Sequence, residues 1–221
     1  MSNPSRLSLP TRLPCGSFLA YAPYGSGSLC SRSRAIKQLV KKSRIEGFMS
    51  RLRERGHEPT LLLEGCLGRE VTLVPVPRSK PLVPGEPWPG MKIAELLQRA
   101  GLAAEIRPLL ERTETVQKSS SAKREGKERL TAIEHTMTIA AKRDAGFRPA
   151  DRVTLVDDVV TAGNTFMGAA AVLLSAYPQL DVSCFAMIRT VSDAENDEEL
   201  GRIDAPLVET IRQRNGKAWR R

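Results

Sequence analysis

The sequence predicts an α/β protein with a parallel sheet, and two observations lead to this prediction. Short apolar runs rich in β-branched residues alternate with segments that have helical spacing, which is typical of strand–helix–strand units. Two of these runs, residues 70–77 and 153–156, have the continuous apolar character of strands buried on both faces of a sheet. A chain of 221 residues with 41% hydrophobic content is long enough for one such domain with extensions.

The first part of the chain is predicted to be irregular and then helical. Residues 1–33 are rich in Ser, Pro, Gly and Arg, so we expect a flexible or irregular segment with short strands or turns around Phe18–Tyr24. Helical spacing begins near Ser33 and predicts two basic helices, which Gly47 separates and Gly56 ends.

The remaining elements continue the alternation of strands and helices. The patterns predict a helix at 91–100, a short strand at 105–110, a strand at 135–141, a helix at 166–177 and a last core strand at 182–191. We expect residues 34–191 to form the folded domain. Residues 192–221 are predicted to be a charged C-terminal extension that ends in a basic tail.

The stretch from Val153 to Thr165 carries the clearest chemical pattern. Its apolar half predicts a strand that ends at Asp157 and Asp158, and a small polar loop and a helix follow. In open α/β sheets this edge is where ligands bind, and the next helix begins there with unpaired N–H groups and a positive dipole end. The loop consists of Thr161, Ala162, Gly163, Asn164 and Thr165, which supply hydroxyl and amide donors and one glycine that lets an anion approach the backbone.

The two carboxylates have a different use from the loop. Asp157 and Asp158 can accept hydrogen bonds from vicinal hydroxyls or position a hydrated Mg²⁺. A ligand with a phosphate beside a diol, such as a ribose 5-phosphate, satisfies both halves of the pattern. The simpler interpretation is that the acids end a strand in water and that Thr161 or Asn164 caps a helix, but the length of the combined pattern favours a ligand site.

The stretch from Val153 to Thr165 resembles the phosphoribosyl pyrophosphate binding motif of the type I phosphoribosyltransferases, with Thr154 at an exposed edge where that family usually has an aliphatic residue. Over residues 34–191 the chain is similar to the competence-associated ComF-type members. The resemblance implies a Rossmann-like core of about five parallel strands with a small N-terminal hood. It also implies transfer of a phosphoribosyl group to a nucleophile with release of pyrophosphate.

The resemblance further implies roles for the motif residues. Thr161, Ala162, Gly163, Asn164 and Thr165 would hold the 5-phosphate. Asp157 and Asp158 would hold the ribose diol as catalytic residues and bind Mg²⁺ through water. Two features of the family are missing here: the N-terminal zinc-binding cysteines, and the Arg-Gly-Phe-Asn-Gln run after Pro-Val-Pro. The acceptor substrate is not identified by any pattern in the sequence.

Two further segments are predicted to complete the site. Arg78, Ser79 and Lys80 directly follow the strand at 70–77, and two cations with a hydroxyl suit a pyrophosphate. Residues 112–129 have almost nothing apolar to bury, which is typical of a mobile loop such as a lid. Arg112, Gln117 and Arg124 resemble lid residues of the ComF-type enzymes, with Arg112 in a catalytic role, and Lys123 is a further candidate cation of the lid. The alternatives are an exposed basic turn and a disordered linker.

Charge leaves a second class of function open. The net charge is +9, and residues 1–60 contain eleven Lys or Arg against three Asp or Glu. A basic surface serves nucleic acid and polyphosphate ligands alike. The alternative is therefore a non-catalytic regulator that senses a sugar phosphate, or a nucleic-acid-associated protein of DNA uptake that uses its basic helices at 32–55. Oligomerisation is compatible with the sequence.

The remaining features mainly exclude functions. No apolar run is long enough to cross a bilayer and no apolar secretory segment begins the chain, so we expect a cytoplasmic protein without membrane contact. The four cysteines form no CxxC pair and are expected to be reduced thiols. His57 and His135 are isolated in sequence, and nothing there predicts a histidine base.

Overall fold

The strands and helices of the protein are seen in a computed structural model that describes residues 7–23, 28–41, 63–117, 128–142, 144, 146, 152–191 and 207–221. The strands in these ranges are β1 (Arg12–Tyr21), β2 (Thr72–Pro75), β3 (Glu105–Ile106), β4 (Leu110–Arg112), β5 (Ile139–Ala141), β6 (Arg152–Val160), β7 (Asp181–Thr190), β8 (Leu207–Arg214) and β9 (Lys217–Arg220). The helices are α1 (Ser28–Lys41), α2 (Pro89–Arg99), α3 (Ala132–Thr138) and α4 (Asn164–Ala176).

A seven-stranded sheet with the order β3-β2-β6-β7-β1-β8-β9 organises the molecule. The first five strands of that order are parallel to one another, and β8 and β9 continue the sheet as antiparallel strands. β4 and β5 pair separately as a small antiparallel sheet. The predicted α/β class, with about five parallel strands, is confirmed.

β6 lies in the middle of the parallel strands and is buried on both faces, as its composition predicts. Leu155 packs into the apolar cluster that α4 covers, and Val156 packs into the cluster on the other face, which includes α2. Thr154 was expected at an exposed edge, and this prediction is wrong. Its side chain is 1% exposed. The Thr154 hydroxyl is satisfied in the core by Cys66 O and, at 2.8 Å, by Ser183 Oγ.

Both ends of the chain are more regular than predicted. Residues 12–21 form the ten-residue strand β1, beside β7 in the sheet, instead of irregular structure with short strands or turns. Residues 217–220, predicted to be a basic tail, form β9. In β9 basic or exposed residues alternate with buried ones, and in β1 the polar or small residues at positions 12, 14, 16 and 17 interrupt the apolar pattern before Phe18, so neither segment shows a continuous apolar run over its full length.

Two internal predictions are also wrong. Residues 135–138 were expected to be in a strand, but they belong to α3, and only Ile139–Ala141 is extended. A capping box starts this helix: Thr131 Oγ1 accepts from Glu134 N, and Glu134 Oε2 accepts from Thr131 N. This local capping outweighs the strand preference of the threonines. The single strand expected at 105–110 is two strands, β3 and β4, in different sheets.

The other predicted elements agree with the structure within a few residues at their ends. They are β2, α2, β6, α4 and β7. α1 begins before the predicted start near Ser33. The second basic helix, and residues 192–206 of the charged extension, lie outside the described residues. The four cysteines are free and buried, as expected for reduced thiols, and burial raises the pKa of Cys66 to about 12. No helix in the described ranges has the length and apolar character that crossing a bilayer requires.

Candidate functional site

An open cleft lies at the carboxyl end of β6, where the sequence predicts the ligand. Its lining runs from Asp157 through the loop to the start of α4 and includes one segment from before α3: Arg129, Leu130, Asp157, Val159, Val160, Thr161, Ala162, Gly163, Asn164, Thr165 and Phe166. All five predicted loop residues and one of the two carboxylates therefore line one cavity. Asp158 is half-buried and not part of this lining.

Gly163 fixes the shape of the loop before α4. Its φ of 97° lies in the left-handed region, which glycine adopts without strain. A Cβ at this position would lie 2.7 Å from Cδ1 and Cγ2 of Ile211 on β8. Met167 N donates to Gly163 O at 3.0 Å. The N–H groups of the first helical turn therefore point out of the helix toward the cleft, which is the geometry that binds anions.

The Asn164 side chain supports the loop. Its Nδ2 donates to Leu130 O at 2.9 Å, and its Oδ1 accepts from Ala218 N at 2.7 Å. The amide thus connects α4 to the segment before α3 and to β9. Asn164 was predicted to hold the phosphate. Both of its side-chain polar atoms already bind protein, so this prediction now concerns its backbone N–H alone.

Arg220 is a functional candidate that sequence reasoning missed. From β9 its guanidinium donates to Thr161 O in the loop and to Thr190 O at the end of β7, and it pairs with Glu209. The Arg220 side chain is 11% exposed. Arg220 therefore supports the loop through its bond to Thr161 O and does not face a ligand directly. A sequence signal was absent, because Arg220 was one of several cations in an apparent tail.

Arg112 lies on a strand and is not part of a mobile loop, so this part of the lid prediction is wrong. It is 5% exposed on β4, where Leu110 and Arg112 point inward and Glu111 outward. Its Nε donates to Arg78 O at 2.9 Å and its Nη1 to Thr138 Oγ1 at 2.6 Å. Burial lowers the pKa of Arg112 to about 10, opposed by the charge of Asp157. Arg112 thus places a fixed positive charge near the cleft carboxylate.

The loop at 78–80 is brought to the same side of the sheet. Arg78 pairs with Glu86 Oε2 at 2.6 Å, Ser79 is half-buried and Lys80 is exposed. Val116 N donates to Ser79 O at 2.7 Å, so the segment that ends at Gln117 runs beside this loop. The structure thus juxtaposes the two segments predicted to hold pyrophosphate. Lys123 and Arg124 lie outside the described residues.

His135 joins the site by packing and was not predicted to have a role. It is 3% exposed, and its Nε2 lies 3.3 Å from Thr165 Oγ1. Its Nδ1 is buried without a hydrogen-bond partner. Gly168 on α4 permits this packing, since a Cβ there would lie 2.5 Å from His135 Cβ. Burial, and then the charge of Arg112, lower the pKa of His135 to about 4, so the ring is neutral at pH 7.

The donors available for Mg²⁺ are few. No group of three or more His, Cys, Asp or Glu side chains suited to a metal occurs in the described parts of the chain. Asp157 Oδ1 accepts from Asp158 N at 2.8 Å, which turns one carboxylate oxygen toward the backbone. One or two carboxylates are sufficient for Mg²⁺ when substrate phosphates and water supply the other ligands. The donor set therefore fits a metal that arrives with its substrate.

Comparison with known proteins adds nothing to this geometry. No protein-family model matches the chain, and no curated protein matches it in sequence.

Proposed function

We propose that the protein is a phosphoribosyltransferase of the type I, ComF-like kind. It binds phosphoribosyl pyrophosphate with Mg²⁺ and transfers the phosphoribosyl group to a nucleophile. The observation that carries this proposal is the cleft at the end of β6, where Asp157 and the start of α4, with Gly163 at φ 97°, meet at one sheet edge. A phosphate at the helix start leaves the adjoining sugar beside the carboxylate, so one ribose 5-phosphate accounts for both features.

The parts of the substrate have separate positions in this proposal. The 5-phosphate lies on the backbone of residues 161–165, and Arg129 borders the same cleft. Asp157 accepts from the ribose hydroxyls, with Asp158 next to it on the strand. The pyrophosphate lies toward Arg78, Ser79, Lys80 and Gln117. Arg112 lies between this loop and the cleft at Asp157. Arg112 reaches Arg78 O through its Nε and is near enough to Asp157 for their charges to interact.

The reaction needs positioning and charge stabilisation more than a strong base. The bond from the ribose C1 to the pyrophosphate oxygen breaks, and the electron pair leaves with pyrophosphate. The acceptor forms the new bond to C1 and releases its proton to solvent. Asp157 stabilises the positive charge that develops on the sugar, and the cations at 78–80 and Arg112 stabilise the charge on pyrophosphate. Bound Mg²⁺ supplies further neutralisation of the pyrophosphate charge.

Calorimetry with phosphoribosyl pyrophosphate and Mg²⁺ tests this function. Wild type is expected to bind, and Asp157→Asn/Asp158→Asn is expected to bind at least about 10-fold more weakly, because two charge-assisted hydrogen bonds are lost. The matched control, Glu64→Gln/Asp181→Asn, removes two exposed carboxylates at the amino end of the parallel strands, opposite to the cleft, and should bind like wild type. Failure of the wild type to bind would refute the proposal.

A pyrophosphate-release screen against nucleobases then separates catalysis from sensing. Release with any acceptor supports a transferase. Tight binding without release would instead favour the non-catalytic regulator that senses a sugar phosphate.

A further inference from the structure

The edge of the sheet formed by β1, β8 and β9 carries a row of basic side chains on one face. In the register of these strands Arg12 lies opposite Arg212, and Arg212 lies opposite Trp219. Arg214 pairs with Lys217 in the next row, and Thr210 pairs with Arg221 in the row on the other side of Trp219. Side chains two residues apart on a strand share a face. Five cations therefore surround one tryptophan on a single face, called here the outer face.

The burial pattern shows that this face is exposed. The residues that alternate with these, Leu13, Ile211 and Ala218, are at most 8% exposed and pack in the core. The five cations of the outer face are exposed, and Trp219 is 41% exposed. A tryptophan at the surface loses the stabilisation that burial of its large apolar ring provides. Its exposed ring is therefore available to a ligand.

The charges on the outer face are arranged unfavourably for the free protein. Arg12 faces Arg212 and Arg214 faces Lys217 across neighbouring strands, and like charges in such positions destabilise a sheet. None of the five cations forms an ion pair with another residue in the described ranges. Basic residues on an edge strand also hinder pairing with other chains, but that role does not require an exposed tryptophan among them.

We propose that the outer face binds single-stranded nucleic acid, with Trp219 stacking on an unpaired base and Arg12, Arg212, Arg214, Lys217 and Arg221 binding phosphates. This proposal does not depend on the transferase activity. Cations that track a backbone around an aromatic platform are the features by which proteins hold single strands. A duplex offers no free base to stack on, and an acidic peptide offers charge but no aromatic plane.

The size of the outer face suits a few nucleotides. Neighbouring strands lie about 4.8 Å apart and residues i and i+2 about 6.8 Å apart. The three rows and three strands therefore span about 10 Å by about 14 Å. Of the basic helices that the sequence predicts at 32–55, residues 32–41 belong to α1, and residues 42–55 lie outside the described residues. The structure thus gives the nucleic-acid interpretation a different location from the one predicted.

Fluorescence anisotropy with labelled oligo-dT and oligo-rU of about twelve nucleotides tests the proposal on the full chain. Tighter binding of a single strand than of a duplex of equal length is expected. Trp219→Ala should weaken binding about 5- to 150-fold, as loss of one stacked base does, and Trp219→Phe should restore part of it. In Trp88→Phe, where Trp219 is the only remaining tryptophan, added oligonucleotide should quench the fluorescence.

Salt dependence tests the cations. If all five cations contact phosphates, the slope of log affinity against log salt is about −3.5. The variant Arg212→Ala/Arg214→Ala/Lys217→Ala should have a shallower slope of about −1.4. The control variant, Arg69→Ala/Lys92→Ala/Lys142→Ala, removes three exposed cations from other surfaces and has the same net charge. An equal loss in both triple variants would assign binding to net charge and overturn the proposal. Four other outcomes would also overturn the proposal. They are no binding of the oligonucleotide, unchanged binding by Trp219→Ala, a preference for the duplex, and competition by polyglutamate equal to that by an unlabelled single strand.

Discussion

Gly163 is the residue of the proposed phosphate loop whose replacement has the most direct structural consequence. Gly163→Ala places a Cβ on a residue with φ 97° and 2.7 Å from two carbons of Ile211. A left-handed conformation costs a non-glycine residue about 1–2 kcal/mol, and overpacking in a core costs about 1–3 kcal/mol. We expect the substitution to lower the free energy of unfolding by about 2–5 kcal/mol.

Denaturant unfolding and calorimetry with ribose 5-phosphate measure the two effects of this change. Gly101→Ala is the matched control, because Gly101 has φ 75° and no atom within 4 Å of its added Cβ. The control should lose only the conformational part, about 1–2 kcal/mol, and should bind ribose 5-phosphate like wild type. Gly163→Ala should bind at least about 10-fold more weakly, since a shift of the loop moves its N–H groups away from the phosphate.

A double variant separates contact from conformation. Ile211→Ala removes all three carbons that the new Cβ meets, at a cost of its own of about 2–5 kcal/mol. If the contact matters, Gly163→Ala/Ile211→Ala loses less stability than the sum of the single variants, by about 1–3 kcal/mol. Additive losses, or a Gly163→Ala protein as stable as Gly101→Ala, would refute the reasoning.

Three further predictions concern residues that the structure adds to the site or relocates. Arg112→Lys should weaken phosphoribosyl pyrophosphate binding about 10-fold or more while changing ribose 5-phosphate affinity little in the same calorimetry, because lysine cannot reach Arg78 O and Thr138 together. The pKa of His135 is lowered to about 4 in the folded protein, whereas in the unfolded chain it is near 6.5, so the unfolded chain binds the proton more readily. The free energy of unfolding of wild type should therefore fall by up to about 3 kcal/mol between pH 6.5 and 4. Denaturant titrations of His135→Gln should lack this loss. Arg220→Gln should weaken ribose 5-phosphate binding more than Glu209→Gln does, since only the former removes the donor to Thr161 O; equal effects would indicate that the ion pair, not the loop contact, matters.

Predictions that rest on local pattern agree best with the structure. The stretch from Val153 to Thr165 shows its strand, its acids and its loop in thirteen consecutive residues, and all three features occur there in the predicted order. The predicted bounds differ from the structure, because β6 continues past the two acids to Val160 and α4 already begins at Asn164. β2 and α2 are predicted for the same reason, since apolar spacing alone identifies them. The juxtaposition of residues 78–80 with the end of β6 also follows, because parallel neighbours share a carboxyl edge.

Predictions fail where pairing over long sequence distances decides the structure. β1 is a central strand because it lies between β7 and β8, yet its Arg12, Pro14 and Gly16 resemble loop residues. α3 is an exception, because a local capping box of four residues starts this helix and its effect exceeds the strand preference of the residues after it. Arg112 can be buried because its N–H groups donate to Arg78 O and Thr138 Oγ1. These partners are distant in sequence, so no local pattern predicts them.

β9 shows why the sequence did not predict the residues that support the loop, such as Arg220. Trp219 points to the outer face and Arg220 to the loop, because successive residues of a strand face opposite sides. Two neighbouring residues thus belong to two different proposed sites, and only the register of β8 with β1 assigns them. A nucleic acid that moved β9 would alter the support of Thr161 O. Linkage then requires two equal effects: ribose 5-phosphate changes the affinity for nucleic acid by the same factor by which nucleic acid changes the affinity for ribose 5-phosphate.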